Sequence, residues 1–180
     1  MLAFPKTHLQ VERESRVLEH MDSEDKHEFE RTLATFYKPK YEVIPTGDIY
    51  EGSGPVYKFL QETYIAFPDF HFELLKLRHS EDAVIVEVKF IGTQEGYWKG
   101  LPPTGRKITY QMQNIFLFEE DKLMCERLYF DQLTIMKQLG IVYDPTSILG
   151  LITTTVTHPI TISLAILRAF THNKTEKTEK

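Results

Sequence analysis

The stretch Glu126–Gly140, ERLYFDQLTIMKQLG, sets one carboxylate, Asp131, among aromatic and aliphatic residues. A carboxyl partly removed from water favours its neutral form, so its pKa rises and it becomes a better proton acceptor near neutral pH. Tyr110, Tyr129 and Phe130 are the groups expected to desolvate it. Asn114 and Arg127 are the polar pair nearest in the pattern. They suit the task of orienting a substrate carbonyl or stabilising an enolate, and they suit equally a structural hydrogen bond, which we favour. Asp131 also stands between a strand-like and a helix-like segment, where an aspartate caps the helix by accepting a first-turn N–H. Capping and chemistry can coexist in one residue.

A hairpin must position these groups. KITYQMQNIFLF and KLMCERLYF alternate with period two and flank the acidic turn EEDK. A two-residue turn at Glu120 and Asp121 puts Glu119 opposite Lys122. Continued without interruption, this register sets Phe116 against Cys125, Asn114 against Arg127, Met112 against Tyr129 and Tyr110 against Asp131, all on one face. Lys107, Thr109, Gln111 and Gln113 take the other, wetter face, so Asp131 is expected inward. A slip of one residue would reverse that assignment.

Upstream, residues 9–21 read as a polar helix with Leu9, Val17, Leu18 and Met21 as its apolar positions. Asp22 or Ser23 is suited to cap a second helix carrying Phe29, Leu33, Phe36 and Tyr37, which Pro39 ends. YEVIP reads as a short strand and TGDIYEGSGP as a turn-rich connection. A third helix starts at Ser53 or Gly54, with Pro55 in its first turn. FHFELLKLRH and AVIVEVKFIGT are strands joined by SEDA, and GYWKGLPPTGR is a loop. Helices first and mainly antiparallel strands afterwards define an α+β class.

The chain has 180 residues, 42% hydrophobic and 26% charged, with 12 Phe and 9 Tyr, which fits one folded domain with an appendage. A net charge of −5 argues against nucleic acid as a partner, because phosphate binding needs a basic face. The single cysteine, Cys125, excludes an intrachain disulfide and is expected to be an inert buried thiol. No secretory signal is visible at the N-terminus, so a cytoplasmic location is expected. EGSGP lacks the Lys-Ser/Thr of a phosphate loop and reads as a turn. His20, His27, His71 and His79 show no metal-ligand spacing with carboxylates and are expected to be solvated; no metal is expected.

From Pro145 to Leu167 the chain contains no Asp, Glu, Lys or Arg. The length suits a bilayer. The threonine cluster, His158 and Pro159 favour instead an apolar helix from Ile160 to Phe170 covering protein, so membrane contact through 147–170 is the lesser reading. The expected division is residues 1–140 as the main domain, 141–172 as an apolar extension and 173–180 as a disordered tail.

FPDF, then FIGTQEGYWKGLPPTGRKI, then YFDQLTIMKQLG together resemble the SnoaL-like polyketide cyclases of the nuclear-transport-factor-2-like superfamily. The resemblance spans roughly residues 11–140. It implies helices packed on a strongly curved antiparallel sheet around a deep pocket, no metal or organic cofactor, and a homodimer that the C-terminal extension could enlarge. It also implies that Asp131 is the general acid/base of an aldol-like ring closure. The pocket then holds a small apolar carbonyl compound against Tyr110, Met112, Asn114, Arg127 and Tyr129, with Tyr41 on the first strand. Trp98 is either a lid over the pocket mouth or an interface aromatic. The sequence departs from the family at Gly92-Thr93-Gln94, where the cyclases resemble Gly-Thr-His, and no histidine lies between His79 and His158, so no sheet histidine is expected to assist. Two alternatives share the fold: a non-catalytic module binding a hydrophobic ligand or a protein, and an epoxide hydrolase-like enzyme, for which only Arg127 and Asp131 of an Asp–Arg–Asp set are identifiable.

Overall fold

The computed structural model describes residues 5–178, with side chains described through residue 169. It divides into two compact units, residues 1–139 and 140–180.

In the first unit, α1 (His8–Asp25) begins with a capping box. The Thr7 side chain accepts from Gln10 N, and the Gln10 side chain accepts from Thr7 N. This helix runs through the expected second cap, so Asp22 and Ser23 lie inside it, and α2 (Phe29–Ala34) starts after Glu28. The buried residues of α1 are Arg13, Val17, His20 and Ser23; of the expected apolar positions Val17 is buried and Met21 packs half-buried on the core, while Leu9 and Leu18 are exposed. Arg13 donates to the carbonyls of Glu120 (2.6 Å) and Glu81 (2.7 Å), which ties the helix to two hairpin turns.

Strands β1 (Lys40–Val43) and β2 (Asp48–Glu51) form a hairpin, where the sequence suggested a strand and a turn. Next come α3 (Ser53–Ala66), entered through Gly52 at φ +88°, and β3 (His71–His79), β4 (Ala83–Thr93), β5 (Lys107–Glu119) and β6 (Lys122–Phe130). A short α4 (Gln132–Gln138) closes the unit. The six-stranded sheet has the order β2-β1-β6-β5-β4-β3, with β1 and β6 parallel and the other pairs antiparallel. Alternation along β4 and β5 sends Val84, Val86, Val88, Ile108, Met112 and Phe116 into the core with the apolar faces of the helices. The mixed α+β class and the curved sheet agree with the sequence reading.

The hairpin of β5 and β6 departs from the uninterrupted register. Glu119 does face Lys122, and Phe118 faces Leu123, but Leu117 then faces Cys125, leaving Met124 as an extra residue on β6. This bulge shifts every later pair by one: Phe116 faces Glu126, Asn114 faces Leu128 and Met112 faces Phe130. Because side chains alternate, the shift turns Glu126, Leu128 and Phe130 inward and Arg127 and Tyr129 outward. Lys107, Thr109, Gln111 and Gln113 are exposed, as expected.

The second unit contains α5 (Ile148–Thr157) and α6 (Pro159–Thr178), bent by 108° across His158. Ser147 caps α5 by accepting from Gly150 N (3.0 Å). Gly150 lies so close to the Asp144 carbonyl that a Cβ there would stand 1.8 Å from its oxygen. Ile148, Val156 and Ile160 are each more than 70% exposed. No single described helix is long and apolar enough to cross a membrane, although the bent pair passes on length and composition. The α6 backbone continues to Thr178, through most of the expected tail; Glu179, Lys180 and the Phe170 side chain lie outside the described residues.

Candidate functional site

The shift at Met124 selects which carboxylate enters the core. Glu126 is fully buried, and its Oε2 lies 2.9 Å from His20 Nε2. Asp131 lies past the end of β6 and is exposed. It caps α4, accepting from Leu133 N (2.9 Å) and from the Thr134 hydroxyl (2.6 Å). Those bonds hold its pKa below the ordinary carboxylate value, the Thr134 hydroxyl contributing most. The expected inward placement is therefore corrected, and the cause is one unpaired residue.

His20 is also fully buried, contrary to the expectation of a solvated histidine. Its protons follow from its neighbours. The Thr35 hydroxyl donates its only hydrogen to the Thr32 carbonyl (2.7 Å), so His20 Nδ1, 2.7 Å from that oxygen, must donate to it. On the other side, the Tyr41 hydroxyl donates to Glu24 Oε2 (3.2 Å) and stands 2.8 Å from His20 Nε2. Nε2 thus faces the Tyr41 oxygen and two carboxylates, Glu126 at 2.9 Å and Glu24 at 3.4 Å, surroundings that favour a charged imidazolium. Burial by itself opposes that charge, but Glu126 and then Glu24 outweigh it, and the His20 pKa is raised to about 9. Glu24, 3.4 Å from His20 Nε2, has its own pKa raised, with burial as the largest cause. Burial also raises the pKa of Tyr41 and keeps the phenol neutral.

His20, Glu24 and Glu126 bring their donor atoms within 4.8 Å of one another, a set of a type and size that could hold a divalent cation. The raised pKa of His20 favours a protonated ring held between two carboxylates instead, because a metal would have to displace the hydrogen on Nε2. The sequence reading missed this set because it sought ligands by local spacing, whereas Glu126 comes from a strand about a hundred residues later.

Beside the cluster runs a narrow cavity of about 70 Å³, several times the ~10–15 Å³ that one water needs. Its walls are largely aromatic and aliphatic, among them Phe59, Phe67, Phe90, Leu128 and Phe130; its polar lining includes Glu24, Asn114 and Tyr110. Tyr110, Met112, Asn114 and Trp98 of the sequence-predicted set line it, and Tyr41 is buried in the adjoining cluster. Arg127, Tyr129 and Asp131 do not. Arg127 donates to Glu42 (2.6 Å) on the outer face, and Tyr129 is 38% exposed. The expected pair of Asn114 with Arg127 is replaced by a bond from Asn114 Nδ2 to Glu126 Oε1 (2.7 Å). Arg127 and Asp131 thus share no cavity from which an Asp–Arg–Asp set could act. Cys125 is buried, and burial pushes its thiol up to about 12, as suits an inert cysteine.

The sequence motifs turn out to hold the walls. Asp69 of FPDF accepts from Thr93 N (2.5 Å) and from the Thr93 hydroxyl (2.8 Å) of the Gly-Thr-Gln motif. Gln94 is buried and uses both ends of its amide. Its Oε1 accepts from Thr104 N and the Thr104 hydroxyl, and its Nε2 donates to the carbonyls of Gly96 and Pro102. The residue in place of the family histidine thus ties down the loop that carries Trp98. Gly96 is required there, since a Cβ would lie 2.1 Å from the Ile65 carbonyl oxygen.

The fold of this curved sheet matches known structures. The model of the SnoaL-like polyketide cyclase family matches residues 15–139, and the chain belongs to that family. A putative SnoaL-like polyketide cyclase from Jannaschia sp. shares the fold, with a TM-score of 0.65 at 17% identity over 76% of this chain and 97% of that one. AclR, a putative hydroxylase from Streptomyces galilaeus, gives 0.64 at 18% identity over 74% and 88%. IdmH, a putative polyketide cyclase from Streptomyces antibioticus, gives 0.58 at 20% identity over 71% and 98%. No curated protein matches this chain.

Proposed function

We propose that the chain is a cofactor-independent enzyme of cyclase or isomerase type that performs general acid/base chemistry on a small apolar carbonyl compound, with Glu24 as the base. Family membership supports cyclase or isomerase chemistry in general. The observation that carries the finer reading is Glu24: it lines an apolar cavity, its pKa is raised chiefly by burial, and a Tyr41 hydrogen bond holds it in place. Such a carboxylate is suited to take a proton from carbon next to a carbonyl. Tyr110 lines the same cavity, and burial keeps its phenol protonated, so it can donate to the enolate oxygen as charge develops. The His20–Glu126 pair fixes the cluster's charge without touching substrate.

The test uses deuterium uptake from D2O into a panel of small aromatic β-keto esters, followed by NMR. Wild type should accelerate exchange at the α-carbon, and Glu24→Gln should lower the rate by about 10²–10⁴-fold, the usual contribution of a positioned base. Undiminished exchange by Glu24→Gln would exclude this assignment. The mostly apolar walls also suit a binding module; saturable binding by wild type with no exchange for any member of the panel would favour that reading.

A further inference from the structure

The helices of the second unit leave no charged face for water. From Pro145 to Leu167 no residue is charged, and nine large apolar side chains of α5 and α6 are at least 50% exposed. A soluble monomer rarely exposes so large an apolar patch, and a helix that covers a protein surface keeps charged residues on its outer side. The threonines do not supply that outer side. The hydroxyls of Thr153, Thr155 and Thr157 donate to the carbonyls of Leu149, Leu151 and Thr153, each at 2.8 Å. Their hydrogens are spent on the helix backbone without water, as a helix in lipid requires. A protein contact on one side would leave the other side of the pair in water, whereas lipid covers all sides. This reverses the preference that the threonine cluster, His158 and Pro159 gave to a protein covering.

We propose that α5 and α6 form a wedge that inserts into one leaflet of a phospholipid bilayer and tethers the chain there. Helix length sets the depth. The 10 residues of α5 and the apolar part of α6, Pro159–Ala169, each extend about 15 Å, half of the ~30 Å hydrocarbon core. The bend of 108° at His158 turns the second leg back instead of carrying it across. With the bend directed inward, Val156 and Ile160, each 74% exposed, lie deepest. The polar groups at the bend are partnered as well. His158 N donates to the Thr154 carbonyl (2.9 Å), the His158 carbonyl accepts from Ile162 N (3.1 Å), and Nδ1 lies 2.8 Å from the Thr157 hydroxyl. Pro159 has no N–H to satisfy. After Leu167 the sequence turns basic: Arg168, Lys174, Lys177 and Lys180 outnumber Glu176 and Glu179, in a chain whose net charge is −5. Cations next to an inserted segment suit anionic headgroups. The inference does not depend on Glu24 acting as a base.

The test floats the full chain through a density gradient with vesicles of phosphatidylcholine and phosphatidylglycerol. Wild type should rise with the vesicles. Val156→Gln combined with Ile160→Gln leaves the net charge unchanged and should weaken partitioning at least about a hundredfold, because two aliphatic side chains no longer enter lipid. A second measurement reads lipid contact directly. Val156→Cys carrying an environment-sensitive fluorophore should shift to the blue when vesicles are added and be quenched by doxyl groups on the acyl chains; Cys125 is buried and should stay unlabelled. If the double variant does not fold, wild-type flotation and the quenching decide alone. Wild type that stays at the bottom of the gradient, flotation that survives the folded double variant, or a label that the acyl-chain quencher does not reach would each overturn the proposal. So would a lipid-free homodimer, seen by sedimentation velocity, that the double substitution dissociates and that does not float, since a second copy of the chain would then cover these helices.

Discussion

Glu126 and Asp131 are carboxylates five positions apart at the end of one hairpin, and they meet opposite environments. Glu126 is buried against an imidazolium and an amide; Asp131 is exposed and bonded to the first turn of α4. In an uninterrupted ladder both would have taken the faces opposite to those they occupy. Met124 decides between them, because one unpaired residue reverses the inward and outward sets for the rest of the strand. A short aromatic context around a carboxylate therefore says little about desolvation until the register is known.

The most severe way to break the comparison is to insert one alanine between Cys125 and Glu126. With the turn and the bulge kept, Phe116 would face the new residue, so Arg127, Tyr129 and Asp131 would move toward the core, and Glu126, Leu128 and Phe130 toward water. The insertion should abolish cooperative folding, seen as loss of near-ultraviolet circular dichroism and of a thermal transition. A folded insertion mutant with wild-type stability would show that the register does not control the core.

Next in size is removal of one partner of the buried pair. Glu126→Ala strips the charge partner from His20 and the acceptor from Asn114, and should cost about 3–5 kcal/mol in urea unfolding, the usual penalty for stranding one buried charge. Replacing His20 and Glu126 together by apolar residues should cost less than the two single changes added, because neither charge is then stranded.

The same pair sets a pH dependence. The folded-state pKa of His20, about 9, lies above its ordinary 6.5, so the fold binds the extra proton. That stabilisation is complete below about pH 6.5 and is lost as pH rises through about 9, a change of about 3 kcal/mol. Glu24, whose pKa is also raised, acts in the same direction over a lower window: its contribution declines as pH climbs above the ordinary carboxylate value. Urea midpoints measured from pH 6 to pH 10 should fall for wild type, and much less over that range for His20→Gln. Parallel curves would show that His20 does not carry the proton.

What could be read beforehand divides along physical lines. The long strands were legible because Val86–Phe90 and Lys107–Gln113 alternate apolar and polar residues beside runs of β-branched and aromatic ones, and the turn at Glu120 and Asp121 was legible from its chemistry. The bulge was not, since no Gly or Pro marks Met124. His20 was overlooked for a different reason. Three of the four buried residues of α1, Arg13, His20 and Ser23, are polar, so a search for apolar periodicity finds only Val17 among them. One signal was available: His20 and Glu24 stand four apart on that helix, where they can pair. The family motifs identified the fold correctly, yet Asp69, Thr93 and Gln94 act on one another and on the loop carrying Trp98 rather than on the acid cluster.

The smallest expected effects belong to Asp131, and they sharpen the comparison most. Its exposed carboxylate serves two bonds at the start of α4, so Asp131→Ala should lower the melting temperature by about 2–4 °C, as expected for a lost cap in a chain of this size. Asp131→Asn keeps an oxygen for the cap and should stay within about 1 °C of wild type. Neither change reaches the cavity, so neither should alter α-carbon exchange by more than about twofold, against a loss of at least about a hundredfold for Glu24→Gln. The ratio of these two effects locates the base. If Asp131→Asn instead removes exchange while its melting temperature holds, the chemistry lies on the outer groove formed with Glu87, Gln111, Gln113 and Tyr129, and the buried cluster is a device for holding α1 on the sheet.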